Sequence, residues 1–473
     1  MGLIIAGISS GSGKTTFTIG LMRAFKNRGL KVGAFKAGPD YIDPMFHRLA
    51  INQPSYNLPA WMLSDASLRF LYDKRSKDNT ISVVEGVMGY YDGHSFESVL
   101  GSTAHLASTL NLGVILIMDA SSMALTAAAI VKGLMDFQSP TKIRGIVFNR
   151  IKSQGHYELL KNSVEMHTDI KCYGYLKPCD SINLESRHLG LVQANEMVDI
   201  EYKIEKMAEL VESTVEVQNI IKDFSNEVDL THLIQYDKEE RVSMDVKNRS
   251  TLDNIRRKIA HEGGLVIGVA MDKAFSFYYD ENLATLMDVG ATLLPFSPIN
   301  DEALPEGIHA LYLGGGYPEV FHDELSKNNQ MREDIKLKSQ SGMPIYAECG
   351  GLMYLMSQIE SIDGQSTEMV GVFTGVAKMT EALQHFGHVE AKLNLGILFG
   401  KSYGREVYYR GHEFHHSVII MEETSYCIEV AKNQRTWQCG YLKDNTLATY
   451  VHNHFYSNLE FLEVLIHFFY QNK

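Results

Sequence analysis

Five cysteines in 473 residues, with no CxxC pair among them, are too few and too scattered for a disulfide framework or a structural zinc site. No apolar stretch reaches the ~18–20 residues of a membrane span, and the first residues carry no charged-then-apolar leader ending in a cleavage site. Positive charge is in deficit. Lys and Arg number 44 against 57 Asp and Glu, for a formal charge of −13, whereas a nucleic-acid partner would favour a basic face. A local basic patch stays compatible with an acidic small molecule. Internal repeats and low-complexity tracts are also lacking. The expectation is therefore a cytoplasmic globular protein with neither nucleic acid nor membrane as partner. Its length exceeds what one hydrophobic core usually covers, so two or three domains are expected.

Short apolar runs at 3–6, 32–35, 81–84, 114–118 and 143–148 read as buried parallel strands. Helical spacing lies between them at 17–28 and 124–136. This is a βαβ series, which predicts a doubly wound α/β sheet with ligands at the carboxyl ends of its strands. From 197 to 261 the chain turns charged, with KEER at 238–241 and KNR at 247–249, and reads as a solvated connector with one or two helices. LVIGVA at 265–270 opens a second α/β series, with further strands at 293–296, 310–313, 344–347 and 447–451. The expected division is 1–195, a P-loop domain; 196–262, a connector; and 263–473, a second doubly wound domain.

GISSGSGKTT at 7–16 follows the first strand and opens a helix, the context that gives a phosphate-binding loop its meaning. Gly11 and Gly13 let backbone amides turn inward around phosphates, and the helix N-terminus adds a favourable field. Lys14 neutralises phosphate charge, and the Thr15 or Thr16 hydroxyl holds Mg²⁺, so ATP and Mg²⁺ are the expected cofactors. The strict pattern wants glycine where this chain has Ile8; its glycine is Gly7, one position earlier. Just past the next strand, KAGPDYIDP places Lys36, Asp40 and Asp43, and VVEGVMGYYDG places Glu85 and Asp92 after the strand at 81–84. Thr15, Asp40 and Glu85 are candidates for the metal; Lys36, Asp40, Asp43 and Asp92 are candidates for the substrate. Each aspartate also fits a turn or helix cap. Asn149, at a strand end, suits either an adenine edge or a simple turn.

A different chemistry is written at 346–351, YAECGG. Cys349 follows a strand and precedes the apolar stretch 352–359, which reads as a helix. That is a nucleophile elbow, whose helix N-terminus is expected to lower the thiol pKa. Gly350 is one oxyanion donor, and Gly315 in LGGGYPE (313–319) supplies the second. His452 in TYVHNHF (449–455) is the candidate base. A buried, inert thiol is the bland alternative. Few chemistries need both a nucleoside triphosphate and a cysteine acyl-enzyme, and glutamine-dependent amidation leads among them.

These motifs, in order along nearly the whole chain, resemble the cobyrinic acid a,c-diamide synthase family of class I glutamine amidotransferases, whose first half is similar to dethiobiotin synthetase. Smaller echoes lie at 186–192, 272–279 and 410–417. The resemblance implies L-glutamine and a corrin-type tetrapyrrole polycarboxylate as substrates, acyl phosphates as intermediates, and the a and c acetate side chains as targets. Hydrogenobyrinic acid and nickel-sirohydrochlorin stay open as alternative substrates, and a homodimer is left open. A P-loop switch of the ParA/MinD kind is the non-enzymatic alternative. Many class I glutaminases carry Glu two residues after the histidine; here that position is His454. The resemblance thus implies a Cys349–His452 dyad, with the group that orients His452 unidentified.

Overall fold

The structure is a computed structural model that describes residues 1–471 except 139–140, 185, 188–189, 192, 198, 226–237, 401–403 and 422–424. For 186–187, 190–191, 195 and 238–246 it describes the backbone alone, so the motif at 186–192 and the charged run at 238–241 lie outside the described side chains. Two compact units divide the chain, Met1–Val242 and Ser243–Lys473.

In the first unit β1 (Gly2–Gly7), α1 (Lys14–Asn27), β2 (Val32–Ala37), α2 (Ile42–Ile51), β3 (Ser55–Leu58), α3 (Asp65–Ser76), β4 (Ile81–Gly89) and α4 (Thr103–Leu110) follow in order. β5 (Gly113–Asp119), α5 (Leu125–Phe137), β6 (Ile143–Asn149), α6 (Gln154–His167) and β7 (Lys171–Tyr175) complete a seven-stranded sheet, ordered β3-β2-β4-β1-β5-β6-β7 and parallel throughout. The unbroken apolar runs of β1 and β5 are explained by this placement. Helices cover both faces, so Leu3, Ile4, Ile5 and Val114 to Met118 are all fully buried. The strand order reverses on either side of β1, and the loop after β1 opens into that crevice.

A two-strand ribbon, β8 (Ser186–Arg187) and β9 (Gly190–Leu191), precedes α7 (Ile200–Thr214) and α8 (Val217–Ser225). Part of the segment read as a connector is therefore built into the first unit, because α7 lies along α1. Arg23 of α1 is buried beneath it, donating through Nη1 to Glu201 (2.6 Å) and Glu205 (3.0 Å) and through Nε to the carbonyl of Ala50 (2.8 Å). The helices approach so closely that a Cβ on Gly20 would lie 2.7 Å from the carbonyl oxygen of Met207. Gly20→Val is expected to push α7 away and cost about 1–3 kcal/mol, read as a lower urea midpoint; an unchanged midpoint would show that this approach is not needed.

α9 (Lys238–His261) leads into the second unit. There β10 (Leu265–Ala270), β11 (Phe275–Phe277), α10 (Asp280–Asp288), β12 (Ala291–Phe296), β13 (Ala310–Leu313), β14 (Gly315–Gly316), α11 (His322–Lys327) and α12 (Asn329–Gln340) precede β15 (Ile345–Glu348) and α13 (Gly350–Leu355). Next come β16 (Met356–Glu360), β17 (Ser366–Glu368), β18 (Phe373–Met379), β19 (His385–Asn394), α14 (Leu395–Leu398), β20 (Glu406–His415) and β21 (Ser417–Met421). β22 (Ser425–Lys432), β23 (Arg435–Lys443), β24 (Thr446–Thr449), β25 (His452–Asn453) and α15 (Leu459–Phe469) end the unit. Its main sheet runs β12-β10-β13-β15-β24-β23-β22-β19-β20-β25. The first five strands are parallel, and the remainder pair antiparallel. The stretch at 352–359, expected as one helix, is helical only to Leu355; from Met356 it becomes β16, which pairs with β17 and β18.

Candidate active sites

The phosphate loop is built by backbone conformations that glycine supplies. Gly11 and Gly13 have φ of 75° and 98°, and a Cβ on Gly13 would meet the Asn149 amide nitrogen at 2.1 Å. Asn149 donates to the carbonyl of Ser12 (3.0 Å) and accepts from the amide of Arg150 (2.8 Å), so it braces the loop from β6. Lys14 folds back onto the loop and donates to the carbonyls of Ser9 (3.0 Å) and Met88 (2.6 Å). Burial, and then Lys36, lower its pKa from the ordinary lysine value. The hydroxyl of Ser12 is buried in the same loop without a hydrogen-bond partner, a donor that phosphate oxygens would satisfy.

Beside the loop lies a fully buried charge cluster. Strand register brings Lys36 of β2 opposite Glu85 of β4. Glu85 Oε1 accepts from Lys36 (3.0 Å) and from the Thr15 hydroxyl (2.7 Å), while Oε2 lies 2.6 Å from His47 Nε2. Lys36 also donates to Asp43. Burial opposes the charge on Lys36, but Asp43, Glu85 and Asp40 outweigh it and hold the ammonium above its ordinary pKa. Burial opposes ionisation of Glu85 as well, yet Lys36 and His47 keep that carboxyl well below the usual carboxylate range. Asp43 moves the other way, pushed up by burial and by the Glu85 charge.

Lys14, Thr15, Thr16, Asp40, Asp43 and Glu85 share the wall of one cavity of about 800 Å³, which also takes in Asn149 and the segment after β7. Asp40 makes a tight turn, its Oδ1 accepting from the amide of Ile42 (2.9 Å), and Asn57 of β3 pins the loop by donating to the carbonyls of Gly38 and Asp40. Of its two readings, substrate contact or turn, Asp92 has the geometry of the turn. Its Oδ2 accepts from the amide of Gly89 (2.9 Å), and it does not line the cavity; it holds the loop after β4. Thr15 and Glu85 come together as expected, but the described residues include no group of three or more His, Cys, Asp or Glu side chains able to hold a metal by themselves. His47 escaped the sequence reading. It stands one helical turn beyond Asp43 on α2, and that i, i+4 spacing was the available signal.

In the second unit Cys349 sits at the turn between β15 and α13 with φ 46° and ψ −99°. Non-glycine residues seldom adopt this strained conformation, and nucleophile elbows exploit it. Its amide donates to the carbonyl of Thr449 at the end of β24 (2.7 Å). A Cβ on Gly350 would come within 2.9 Å of the Gly316 amide nitrogen, and one on Gly315 within 2.5 Å of His452 Cε1. The GGG turn is thus wedged between the start of α13 and the His452 imidazole, and only glycine fits there. The glycine turn touches both the residue after Cys349 and the His452 ring.

The expected lowering of the thiol pKa is not what the structure has: burial, followed by Glu319 and Glu413, pushes Cys349 up. α13 is only six residues long, and its field is outweighed by desolvation. Further groups surround the histidine that the sequence did not single out. His412 of β20 stacks on it with ring centroids 4.9 Å apart and takes the Tyr279 hydroxyl at 3.2 Å on Nδ1. Burial, and then His452, keep His412 well below the usual imidazole range. Glu348, the residue before the nucleophile, places Oε2 3.8 Å from His452 Nδ1.

Two family models match the chain. A CobQ/CobB/MinD/ParA nucleotide binding domain covers 3–192, and a CobB/CobQ-like glutamine amidotransferase domain covers 266–459. Over nearly its full length the chain is similar to proteins named cobyrinate a,c-diamide synthase. That of Listeria innocua is 41% identical over 462 residues, spanning 96% of each chain. That of Clostridium acetobutylicum is 41% identical over 470 residues, 98% of this chain and 99% of the other. That of Caldanaerobacter subterraneus is 40% identical over 460 residues, 97% and 96% of the two chains.

Proposed function

The chain belongs to the cobyrinate a,c-diamide synthase family, and from that membership we propose that it converts the a and c acetate carboxylates of cobyrinic acid to carboxamides, using ATP and glutamine. The observation that carries the reading is the presence, on one chain, of a lysine-bearing phosphate loop beside a buried Lys36–Glu85 pair and of a strained cysteine elbow whose neighbouring glycine turn packs against a histidine.

In the first unit the amides of the loop and the Ser12 hydroxyl receive the phosphates, and Lys14 exchanges its two carbonyl partners for phosphate oxygens. The Thr15 hydroxyl, oriented by Glu85, would hold Mg²⁺, which when bound would supply charge neutralisation. A carboxylate resists amination in water because hydroxide and oxide are poor leaving groups. Transfer of the γ-phosphoryl group to the substrate carboxylate gives an acyl phosphate, whose phosphate ammonia then displaces. Lys36, beside Asp43 at the cavity wall, offsets the negative charge that meets there, and Asp40 and Asp43 position the incoming tetrapyrrole.

In the second unit Cys349 attacks the glutamine side-chain amide, with Gly350 and Gly315 as oxyanion donors. His452 moves the protons that release ammonia and later admit water to the glutamyl thioester. The cytoplasm is the proposed location. The test is a substrate panel. Purified protein with ATP and glutamine is offered cobyrinic acid, hydrogenobyrinic acid and nickel-sirohydrochlorin, and products are weighed by mass spectrometry. Cobyrinic acid is expected to give the diamide at the highest kcat/KM. Amidation of nickel-sirohydrochlorin alone would overturn the substrate, and ATP hydrolysis without amidation of any would overturn the reaction.

A further inference from the structure

His452 needs a partner that fixes its tautomer and stabilises its charged form, and the position two residues on does not supply one. His454 Nδ1 accepts from the amide of Tyr456 (3.3 Å), capping the turn Phe455–Ser457, and its ring packs on Tyr279 with centroids 5.1 Å apart. Glu348 is the carboxylate at hand. It ends β15 with 1% exposure, against 2% for His452. Its Oε1 accepts from the Tyr346 hydroxyl (2.8 Å) and, at 3.4 Å, from the amide of Asn453. Its Oε2 accepts from the Tyr312 hydroxyl (3.3 Å) and stands 3.8 Å from His452 Nδ1. Among the described residues, His452 is the one side chain able to carry positive charge that lies at ion-pair distance from it. A carboxylate so buried is costly to keep without a countercharge, and the imidazolium formed during turnover is that countercharge.

We propose that Glu348 is the third member of the glutaminase machinery, a positioning residue that orients His452 through Nδ1 and stabilises its imidazolium. The proposal rests on the glutaminase reading given above. With Nδ1–H directed at Glu348, Nε2 is left as the acceptor. The Cys349 thiol proton passes to His452 as sulfur bonds to the amide carbon of glutamine. The imidazolium then returns that proton to the amide nitrogen as the C–N bond breaks, leaving ammonia and the thioester. In the second half, His452 takes a proton from water as the hydroxyl adds to the thioester carbon, and returns it to sulfur when the C–S bond breaks. Glu348 takes part in none of these proton transfers, like the carboxylate of serine-protease triads. The 3.8 Å separation is an ion-pair distance, longer than a hydrogen bond, of the kind that tightens when substrate binds. His412 faces the same ring from β20 and, held neutral, does not compete for the charge.

The test measures glutamine hydrolysis and ammonia-driven synthesis in wild type, Glu348→Gln and Glu348→Asp, each with ATP and tetrapyrrole present, and the melting temperature of each. Glu348→Gln keeps the shape and removes the charge. Its kcat for glutamine is expected to fall by up to about 10⁴-fold, with KM little changed. Glu348→Asp is expected to recover part of the loss, and ammonia-driven synthesis to hold in both. Wild-type kcat in Glu348→Gln would overturn the proposal. So would equal loss with both nitrogen sources together with a lowered melting temperature, which would make Glu348 structural. A wild type that hydrolyses no glutamine would instead overturn the glutaminase reading itself.

Discussion

Cys349→Ala is expected to abolish glutamine-driven amidation, by at least about 10³-fold, while leaving ammonia-driven amidation within about twofold of wild type. The sulfur is the only atom of that side chain able to form the thioester, and no neighbour substitutes for it. Cys427 and Cys439, also in the second unit, are buried among strands, and burial pushes both thiols up. The phosphate cavity, in contrast, is lined by residues of the first unit alone. Ammonia supplied in the buffer makes the thiol unnecessary. The assay is product mass with either nitrogen source. Equal loss with both would remove Cys349 from the glutaminase role and return it to the class of inert core thiols.

Glu85→Gln and Lys14→Ala are expected to suppress synthesis about 10²–10³-fold with either nitrogen source, the scale on which a preorganised charge contributes to catalysis. Glu85 accepts from Thr15, Lys36 and His47 at once. Glutamine presents one oxygen where the carboxylate presented two, so one of those donors loses its acceptor. Lys36 is then left with Asp43 as its negative partner. Because Glu85 is fully buried, its loss also destabilises the first unit. Lys14→Ala separates the two effects, since its present partners are backbone carbonyls. Ammonia-driven synthesis with ATP titrated over a wide range is the cleaner assay. Wild-type rates in Lys14→Ala would remove the loop from catalysis, and wild-type rates in Glu85→Gln would reduce the carboxylate to a structural ion-pair member.

The first site was legible in the sequence because its chemistry is local. Strand, glycine turn, lysine and helix start fall within 7–16, and each follows from the backbone geometry of its neighbours. Lys36 and Glu85 were recognisable as strand-end residues, but their pairing is a matter of register between β2 and β4. His47 stayed hidden because it belongs to the cluster through the face of α2 that also carries Asp43. Asp92 carried both a substrate and a loop-stabilising reading, and the direction of its side chain, toward the Gly89 amide, favours the loop. In the second unit Cys349, Gly315, Gly350 and His452 were legible from their turns. Glu348 was not, since residues adjacent on a strand point to opposite faces, and its approach to His452 is a tertiary contact. The helix expected to run to 359 stops early because β16 pairs with β17 and β18, contacts that local periodicity does not encode.

The central expectation is that glutamine nitrogen reaches activated carboxylates of a corrin through this chain alone. Purified protein, cobyrinic acid, ATP, Mg²⁺ and glutamine labelled with ¹⁵N in the side-chain amide test it in a single reaction, read by mass spectrometry and by phosphate release. The expected result is a diamide carrying ¹⁵N in both new carboxamides, with one phosphate released for each. A tetrapyrrole recovered unchanged while phosphate and glutamate accumulate would contradict it.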